Sequence, residues 1–192
     1  ADGCAALPEC PPKEESMGTI VVYRSISGFT KKYAGWIAEE LGAPCVELGD
    51  FSGKAVADGD VLVFGGSLHA VGINGYRKFS RLVAGRKLKQ LVVFAVGATP
   101  HRAGVEEVIR AGNFPGDDGK DIRLFYLRGG FDYGRLDWPN RLLMKLLKAK
   151  LKLRKQRGPD EEGMLKAYDR PLDVTKKENV AELVAYVKGL GG

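Results

Sequence analysis

Short apolar runs alternate with helical segments along most of the chain, and this alternation constrains the fold more than any other feature. Five runs are almost continuously apolar, as expected for parallel strands covered on both faces. The predicted strands are residues 19–23, 44–48, 61–65, 91–96 and 122–127. The predicted helices are residues 30–41, 74–84, 104–111, 139–153 and 175–188. Together they predict an α/β fold in which helices cover both faces of a doubly wound, five-stranded parallel sheet.

A hydroxyl-rich loop, Ser25-Ile26-Ser27-Gly28-Phe29-Thr30, joins the first predicted strand to the first predicted helix. The first N–H groups of a helix lack intrahelical partners and lie at the positive end of the helix dipole. Three hydroxyls and a glycine beside them predict a phosphate-binding site that needs no charged side chain. The alternative is that these residues only cap the helix, with Thr30 as the N-cap.

Small, glycine-bearing segments follow the third and fourth predicted strands. They read Gly66-Ser67-Leu68-His69 and Gly97-Ala98-Thr99-Pro100-His101. Ligands of doubly wound sheets bind at the carboxyl ends of the strands. We therefore expect a planar ring to lie against the backbone of these two segments, although glycines after strands can also be simple turns.

The chain has two histidines, His69 and His101, and both fall in these two segments. Either can stack on a ring or hold a proton donor near it, so both are candidate catalytic residues. The alternative is that they are exposed and have no role. No Ser/His/Asp or Cys/His nucleophilic set is recognisable, and no spacing typical of metal ligands occurs.

Charge, hydropathy and cysteine content indicate the partners and the cellular compartment of the chain. The formal net charge is +6 and the pI is about 9.2, which favours phosphate-bearing or otherwise anionic partners. No apolar run approaches the roughly 20 residues needed to span a bilayer. Three cysteines without a Cys-x-x-Cys pair fit a reducing cytoplasm, with Cys45 as a small buried strand residue.

Two segments lie outside the alternating pattern. Residues 1–16 are proline-rich and aperiodic, and we expect a disordered leader or a non-native extension before a domain at residues 17–192. An insertion at about residues 128–171 contains a leucine-striped, strongly basic stretch from Arg141 to Arg157 with no acidic residue. Such a stretch suits the anionic inner face of a cell membrane, or it packs its leucines on the domain and leaves its lysines in water.

The loop after the first strand resembles the FMN-phosphate loop of the flavodoxin superfamily, Ser/Thr-x-Ser/Thr-Gly-x-Thr. The resemblance implies the strand order 2-1-3-4-5 and FMN as the cofactor. The residues that it assigns to FMN binding are Ser25, Ile26, Ser27, Gly28, Phe29, Thr30, Ser67, Leu68, His69, Gly97, Ala98 and Thr99.

The insertion is similar to that of the flavodoxin-type protoporphyrinogen IX dehydrogenases. The matching positions are Gly129-Gly130, Tyr133, Arg135, Trp138, Arg141, Met144-Lys145-Leu146 and Lys148. Members of that family bind FMN, oxidise a porphyrinogen and pass the electrons to membrane quinone. Where the family has Arg-Tyr-Gly, this chain has His69-Ala70-Val71, so it lacks an aromatic residue that could flank the flavin.

Three functions follow as expectations. The resemblance favours an FMN-dependent oxidoreductase that acts on a porphyrinogen or a quinone near the membrane. A non-enzymatic electron carrier with a redox partner protein is the alternative, although carriers of this type are typically acidic. A flavodoxin-like domain without flavin is the third. Nucleic-acid binding is disfavoured, because the basic stretch has no interleaved aromatic residues.

Overall fold

The computed structural model of the chain describes residues 18–114, 121–132 and 172–191, and the single positions 134, 142, 145, 146, 148 and 149. The strands are β1 (Thr19–Arg24), β2 (Cys45–Glu47), β3 (Val61–His69), β4 (Gly72–Ile73), β5 (Gln90–Gly97), β6 (Ile122–Arg128), β7 (Gly130–Phe131) and β8 (Leu172–Asp173). The α-helices are α1 (Phe29–Leu41), α2 (Tyr76–Leu82), α3 (Val105–Asn113) and α4 (Ala181–Gly189). Short 3₁₀ turns lie at Gly53–Ala55 and Lys177–Val180.

Five parallel strands form the main sheet in the order β2-β1-β3-β5-β6. The two-residue strand β4 pairs antiparallel with the end of β3 and lies outside this order. When β4 is left out, β5 and β6 are the fourth and fifth strands, so the sheet confirms the predicted order 2-1-3-4-5. Val21 lies opposite Val63, and Val63 opposite Val92, so apolar residues pair across the centre of the sheet. Since the five strands are parallel, their C-terminal ends lie along one edge.

Alternate residues of the central strands supply two apolar cores. Val21 and Val63 face the core that α1 and α4 cover. Val22 and Phe64 face the other core, which α2 and α3 cover. All four side chains are fully buried. Burial of a Val or Phe side chain contributes about 1.5–3 kcal/mol, which explains why both alternate positions of each central strand are apolar.

Several element boundaries differ from the predicted ones. The third strand continues past the expected end at residue 65 to His69, because its last residues pair with β4. The helix predicted at 74–84 begins at Tyr76, after Gly75 in the left-handed region at φ 84°. The helix predicted at 175–188 is divided into a 3₁₀ turn and α4, which begins at Ala181.

Cys45 is exposed, so the expectation of a buried strand cysteine is wrong. The residue does lie in β2, but β2 is the edge strand of the sheet and has a neighbour on one side only. Cys45 is the first residue of this three-residue edge strand, at the margin of the sheet.

The predicted leader at residues 1–16 and most of the predicted helix at 139–153 lie outside the described residues. Within that second stretch, positions 142, 145, 146, 148 and 149 are described and are helical. None of the helices described is both long enough and apolar enough to cross a membrane.

Candidate functional site

The loop between β1 and α1 turns into the helix at a glycine. Gly28 is the N-cap residue of α1, lies in the left-handed region at φ 92°, and makes no side-chain cap. The alternative that Thr30 caps the helix is therefore wrong, since Thr30 lies inside the first turn. The first turn of α1 has no acidic residue, so its own side chains leave the positive end of the dipole uncompensated.

Thr30 is 1% exposed, and its hydroxyl oxygen Oγ1 makes no hydrogen bond. A buried polar atom without a partner costs about 1–3 kcal/mol, so native proteins rarely keep one without a reason. A ligand oxygen at the N-terminus of α1 would supply such a partner. Ser25, Ile26 and Ser27 are half-buried and line the same loop.

Part of this loop is already satisfied internally. The N–H of Gly28 donates to Oγ of Ser25 at 3.1 Å, which closes a tight turn. Phe29 is buried and packs against Gly129 and Gly130, so its side chain belongs to the core and only its backbone remains for a ligand. Among the predicted residues of this loop, the hydroxyls of Ser27 and Thr30 are therefore the ones best suited to an anion.

The segment after the third predicted strand is not a loop but the end of β3. A Cβ on Gly66 would lie 2.4 Å from Cγ2 of Ile73, so the returning strand β4 requires this glycine. Ser67 and Leu68 are half-buried, whereas His69 is exposed beside the turn. Oγ of Ser67 is a second buried atom without a hydrogen-bond partner.

The side chain of Asn113 fixes the hairpin of β3 and β4 to the end of α3. Its Oδ1 accepts from the N–H of Ile73 at 2.7 Å, and its Nδ2 donates to the carbonyl of Val71 at 2.6 Å. Nδ2 also donates to the carbonyl of Ile109 at 2.7 Å. The sequence analysis did not identify Asn113 as a site residue. Its only signal in the sequence is that it is a polar residue at the end of a helix.

The segment after β5 contacts Tyr126 of the neighbouring strand β6. The Tyr126 hydroxyl donates to the carbonyl of Thr99 at 2.6 Å, and a Cβ on Gly97 would lie 2.6 Å from that hydroxyl. The glycine is therefore needed to admit the tyrosine. Burial raises the pKa of Tyr126, while Arg128 lowers it by a smaller amount. Gly97 is half-buried, and Ala98 and Thr99 are exposed at the edge.

His101 lies on the same segment and is exposed. Its ring centroid is 5.9 Å from that of Tyr126, and its Nε2 is 3.9 Å from Oε1 of Glu106. Glu106 in turn accepts from the N–H of Tyr126 at 3.2 Å. The two candidate histidines therefore lie at different strand ends. His101 lies beside Tyr126 and Glu106 beyond the end of β5, and His69 is the last residue of β3.

Arg128, the last residue of β6, is a further candidate that sequence reasoning missed as a site residue. It is half-buried, and its Nε is a third buried atom without a hydrogen bond. The three such atoms among the described residues belong to Thr30, Ser67 and Arg128. Thr30 follows β1, Ser67 lies near the end of β3, and Arg128 ends β6, so all three lie at the C-terminal edge of the sheet.

A cavity of about 470 Å³ opens beside this edge. Ile26 of the first loop and His69 of the hairpin line it, and further polar side chains come from Asn74, Arg77, Lys78 and Asn113. Among the described residues, no group of three or more His, Cys, Asp or Glu side chains is arranged to hold a metal ion. The site therefore offers hydroxyls, backbone amides and cations to a ligand.

Residues 20–157 of the chain match the family of the flavodoxin domain. The chain belongs to this family. The matched part of this flavodoxin domain contains the β1–α1 loop, the β3–β4 hairpin and the end of β5. Among functionally curated proteins, none matches the chain significantly.

Solved structures similar to this flavodoxin domain include a flavodoxin from the domain Archaea, at 22% identity and a TM-score of 0.38, with 57% of this chain and 85% of that chain covered. They also include the Trp repressor binding protein from Bacillus subtilis, at 19% identity and a TM-score of 0.41. There the match covers 72% of this chain and 99% of that chain.

Proposed function

We propose that this flavodoxin domain binds FMN at the C-terminal edge of its sheet. The phosphate lies on the β1–α1 loop, and the ring lies at the ends of β3 and β5. The observation that carries the proposal is the set of buried, unbonded atoms at this edge: Thr30 Oγ1, Ser67 Oγ and Arg128 Nε. The phosphate of FMN would supply a hydrogen-bond partner for Thr30 Oγ1, and its ring would supply partners for Ser67 Oγ and Arg128 Nε.

The residues of the site then have separate roles. Bound FMN supplies one- and two-electron redox chemistry, and the protein holds and orients it. The Ser27 and Thr30 hydroxyls, with the free amides of the first turn of α1, hold the phosphate. Ser67 and Arg128 present hydrogen-bond donors to the ring side of the site. Tyr126 and Asn113 position the two segments that flank the ring.

FMN titration of the apoprotein tests the cofactor assignment. We expect Thr30→Val to weaken FMN binding at least tenfold, because it removes a hydroxyl without changing the size of the side chain. Thr19→Val is the matched control, since Thr19 begins β1 at the opposite edge of the sheet. Equal affinity in wild type and both variants, with unchanged circular dichroism, would remove Thr30 from the phosphate site. A wild-type protein that binds no FMN would overturn the cofactor assignment.

The activity that we propose is that of an FMN-dependent oxidoreductase resembling protoporphyrinogen IX dehydrogenase, with a porphyrinogen as electron donor and a quinone as acceptor. Two observations support it. The inserted segment begins and ends in the paired strands β7 and β8, next to the proposed ring site. Its basic stretch from Arg141 to Arg157 is similar to that of the dehydrogenases.

An anaerobic assay with protoporphyrinogen IX and menadione separates the activity from its alternatives. The expected result is porphyrin formation, followed by its fluorescence, that requires both FMN and the quinone. FMN binding without porphyrin formation would exclude this substrate and leave the cofactor assignment intact.

An electron carrier is the second candidate function. The exposure of His69, Ala98 and Thr99 favours it, because these residues leave the edge accessible to another protein. The charge favours the enzyme, since residues 61–105 contain no Asp or Glu. A carrier is expected to reduce a partner protein at rates that fall with salt, and to show no turnover with small donors.

Contact with an anionic membrane is part of the proposal. Leu142 and Leu146 are 48% and 62% exposed and lie one helical turn apart, with Lys145 exposed between them. Exposed leucines beside lysines suit a negatively charged bilayer surface. We expect Leu142→Ser combined with Leu146→Ser to lower binding to phosphatidylglycerol vesicles. Val108→Ser, at an exposed valine of α3, is the control. Equal binding of all three proteins would contradict the contact.

A further inference from the structure

The cavity beside the proposed flavin site has a strongly cationic wall. It lies between the β3–β4 hairpin, the start of α2 and the end of α3, and its volume is about 470 Å³. Arg77 and Lys78 of α2 line it and are exposed to solvent. Among the described residues that line the cavity, none is acidic. A cavity of this size is within the range of small-molecule sites, roughly 300–1,000 Å³.

Among the residues that the structure describes, no carboxylate pairs with the cations of this wall. Neither Arg77 nor Lys78 forms an ion pair with a described Asp or Glu. Residues 61–105 contain seven Lys or Arg, both histidines of the chain and no acidic residue. Surface cations of globular domains are usually interspersed with acids. A concave, one-signed surface instead concentrates field lines and attracts an anion.

The chemistry of the wall also restricts the kind of anion. A guanidinium binds a carboxylate through two parallel hydrogen bonds, and an ammonium adds a point charge. Ile26 and the backbone of Gly72, Gly75 and Gly112 provide uncharged surface around the cations. This mixture suits an organic molecule with an apolar body and a carboxylate better than it suits a free inorganic ion.

We propose that this cavity is a substrate subsite that takes the carboxylate of an organic substrate, held by Arg77 and Lys78. The inference rests on the proposed function, because it places the substrate next to the flavin. The cavity includes Ile26 of the phosphate loop and His69 at the end of β3, so it is continuous with the proposed FMN site. A molecule whose carboxylate is bound here can extend its remaining part toward the C-terminal edge of the sheet, where the proposed FMN site lies.

Equilibrium binding of 2-naphthoate and its neutral analogue 2-naphthamide to the FMN-loaded protein tests the subsite. We expect Arg77→Gln combined with Lys78→Gln to weaken 2-naphthoate binding at least tenfold and to leave 2-naphthamide binding unchanged. Arg86→Gln combined with Lys87→Gln is the matched control: it removes the same charge from exposed positions that do not line the cavity. This control is expected to bind both probes like wild type.

Three results would overturn the proposal. Equal weakening in both double variants would mean that only the diffuse field attracts the anion. Wild-type affinity in the cavity variant would place the carboxylate at another site on the protein. A loss of FMN affinity in the cavity variant would make the cavity part of the phosphate site. If wild type fails to bind FMN, the proposed function fails first, and binding of 2-naphthoate to the apoprotein still tests the subsite separately.

Discussion

The backbone N–H of Gly129 donates to the carbonyl oxygen of Gly97 at 2.8 Å, so the strand that leads into the insertion continues alongside the end of β5. The returning chain is held at the same place, because the N–H of Val174 donates to the carbonyl of Gly129 at 3.1 Å. Both ends of the insertion are thus fixed beside the proposed ring site.

Gly130→Ala should destabilise the protein. A Cβ at this position would lie 2.1 Å from the carbonyl oxygen of Leu172 and 2.7 Å from Cζ of Phe29. The backbone of β8 must move to admit it, and overpacking of this kind costs about 1–3 kcal/mol. Urea unfolding measures the loss.

Gly35→Ala is the control for that substitution. Gly35 lies inside α1 and has open space where a Cβ would be. Alanine in a helix interior is favoured over glycine by about 0.5–1 kcal/mol, so this variant should be more stable than wild type. A stable Gly130→Ala variant would show that the β7–β8 pair is not tightly packed in solution.

Tyr33→Phe should cost about 1–3 kcal/mol of unfolding free energy. The fully buried Tyr33 hydroxyl donates to the carbonyl of Arg128 at 2.6 Å and accepts from Nδ2 of Asn179 at 2.9 Å. Removing it leaves two polar groups without this partner. Tyr186→Phe, at a half-buried tyrosine, should change the stability by less than about 0.5 kcal/mol. Equal effects of the two variants would refute this role of Tyr33.

Asn113→Ala should release the β3–β4 hairpin from α3. The Ile73 amide loses its acceptor at 2.7 Å, so its hydrogen exchange should become faster, and the carbonyl of Val71 loses its donor. Asn113→Asp keeps an acceptor for Ile73 but removes the donor, so protection of this amide should survive better in that variant. Unchanged exchange at Ile73 in Asn113→Ala would contradict the contact.

The stability of the protein should fall at alkaline pH in part through Tyr126. Burial raises the pKa of this phenol in the folded state, with a smaller opposing effect of Arg128. The pKa of a tyrosine in the unfolded chain is about 10, so above this pH the unfolded chain loses the proton while the folded protein still keeps it. The stabilisation from Tyr126 is therefore complete below about pH 10 and is lost as the pH rises through the pKa of the folded state. Unfolding free energies at pH 9 to 11 should therefore decline less steeply for Tyr126→Phe. Equal slopes would exclude the contribution.

Much of the architecture could be predicted from the sequence because it depends on local patterns. Near-continuous apolar runs, such as the one that contains Val63 and Phe64, show that both faces of the central strands are covered. Helical periodicity located α1, and together these patterns determined a doubly wound sheet. The β1–α1 loop was identified in the same way, since its hydroxyls and Gly28 are adjacent in the chain.

The tertiary structure decided what depends on residues far apart in sequence. Gly66 is required by Ile73 of a hairpin, Asn113 reaches back 40 residues to the Ile73 amide, and the glycine at 97 makes room for Tyr126. It also decided that the Thr30 and Ser67 oxygens and Arg128 Nε are buried without partners at one edge. Burial and hydrogen bonding are set by neighbours in space, and no local pattern of residues specifies those neighbours.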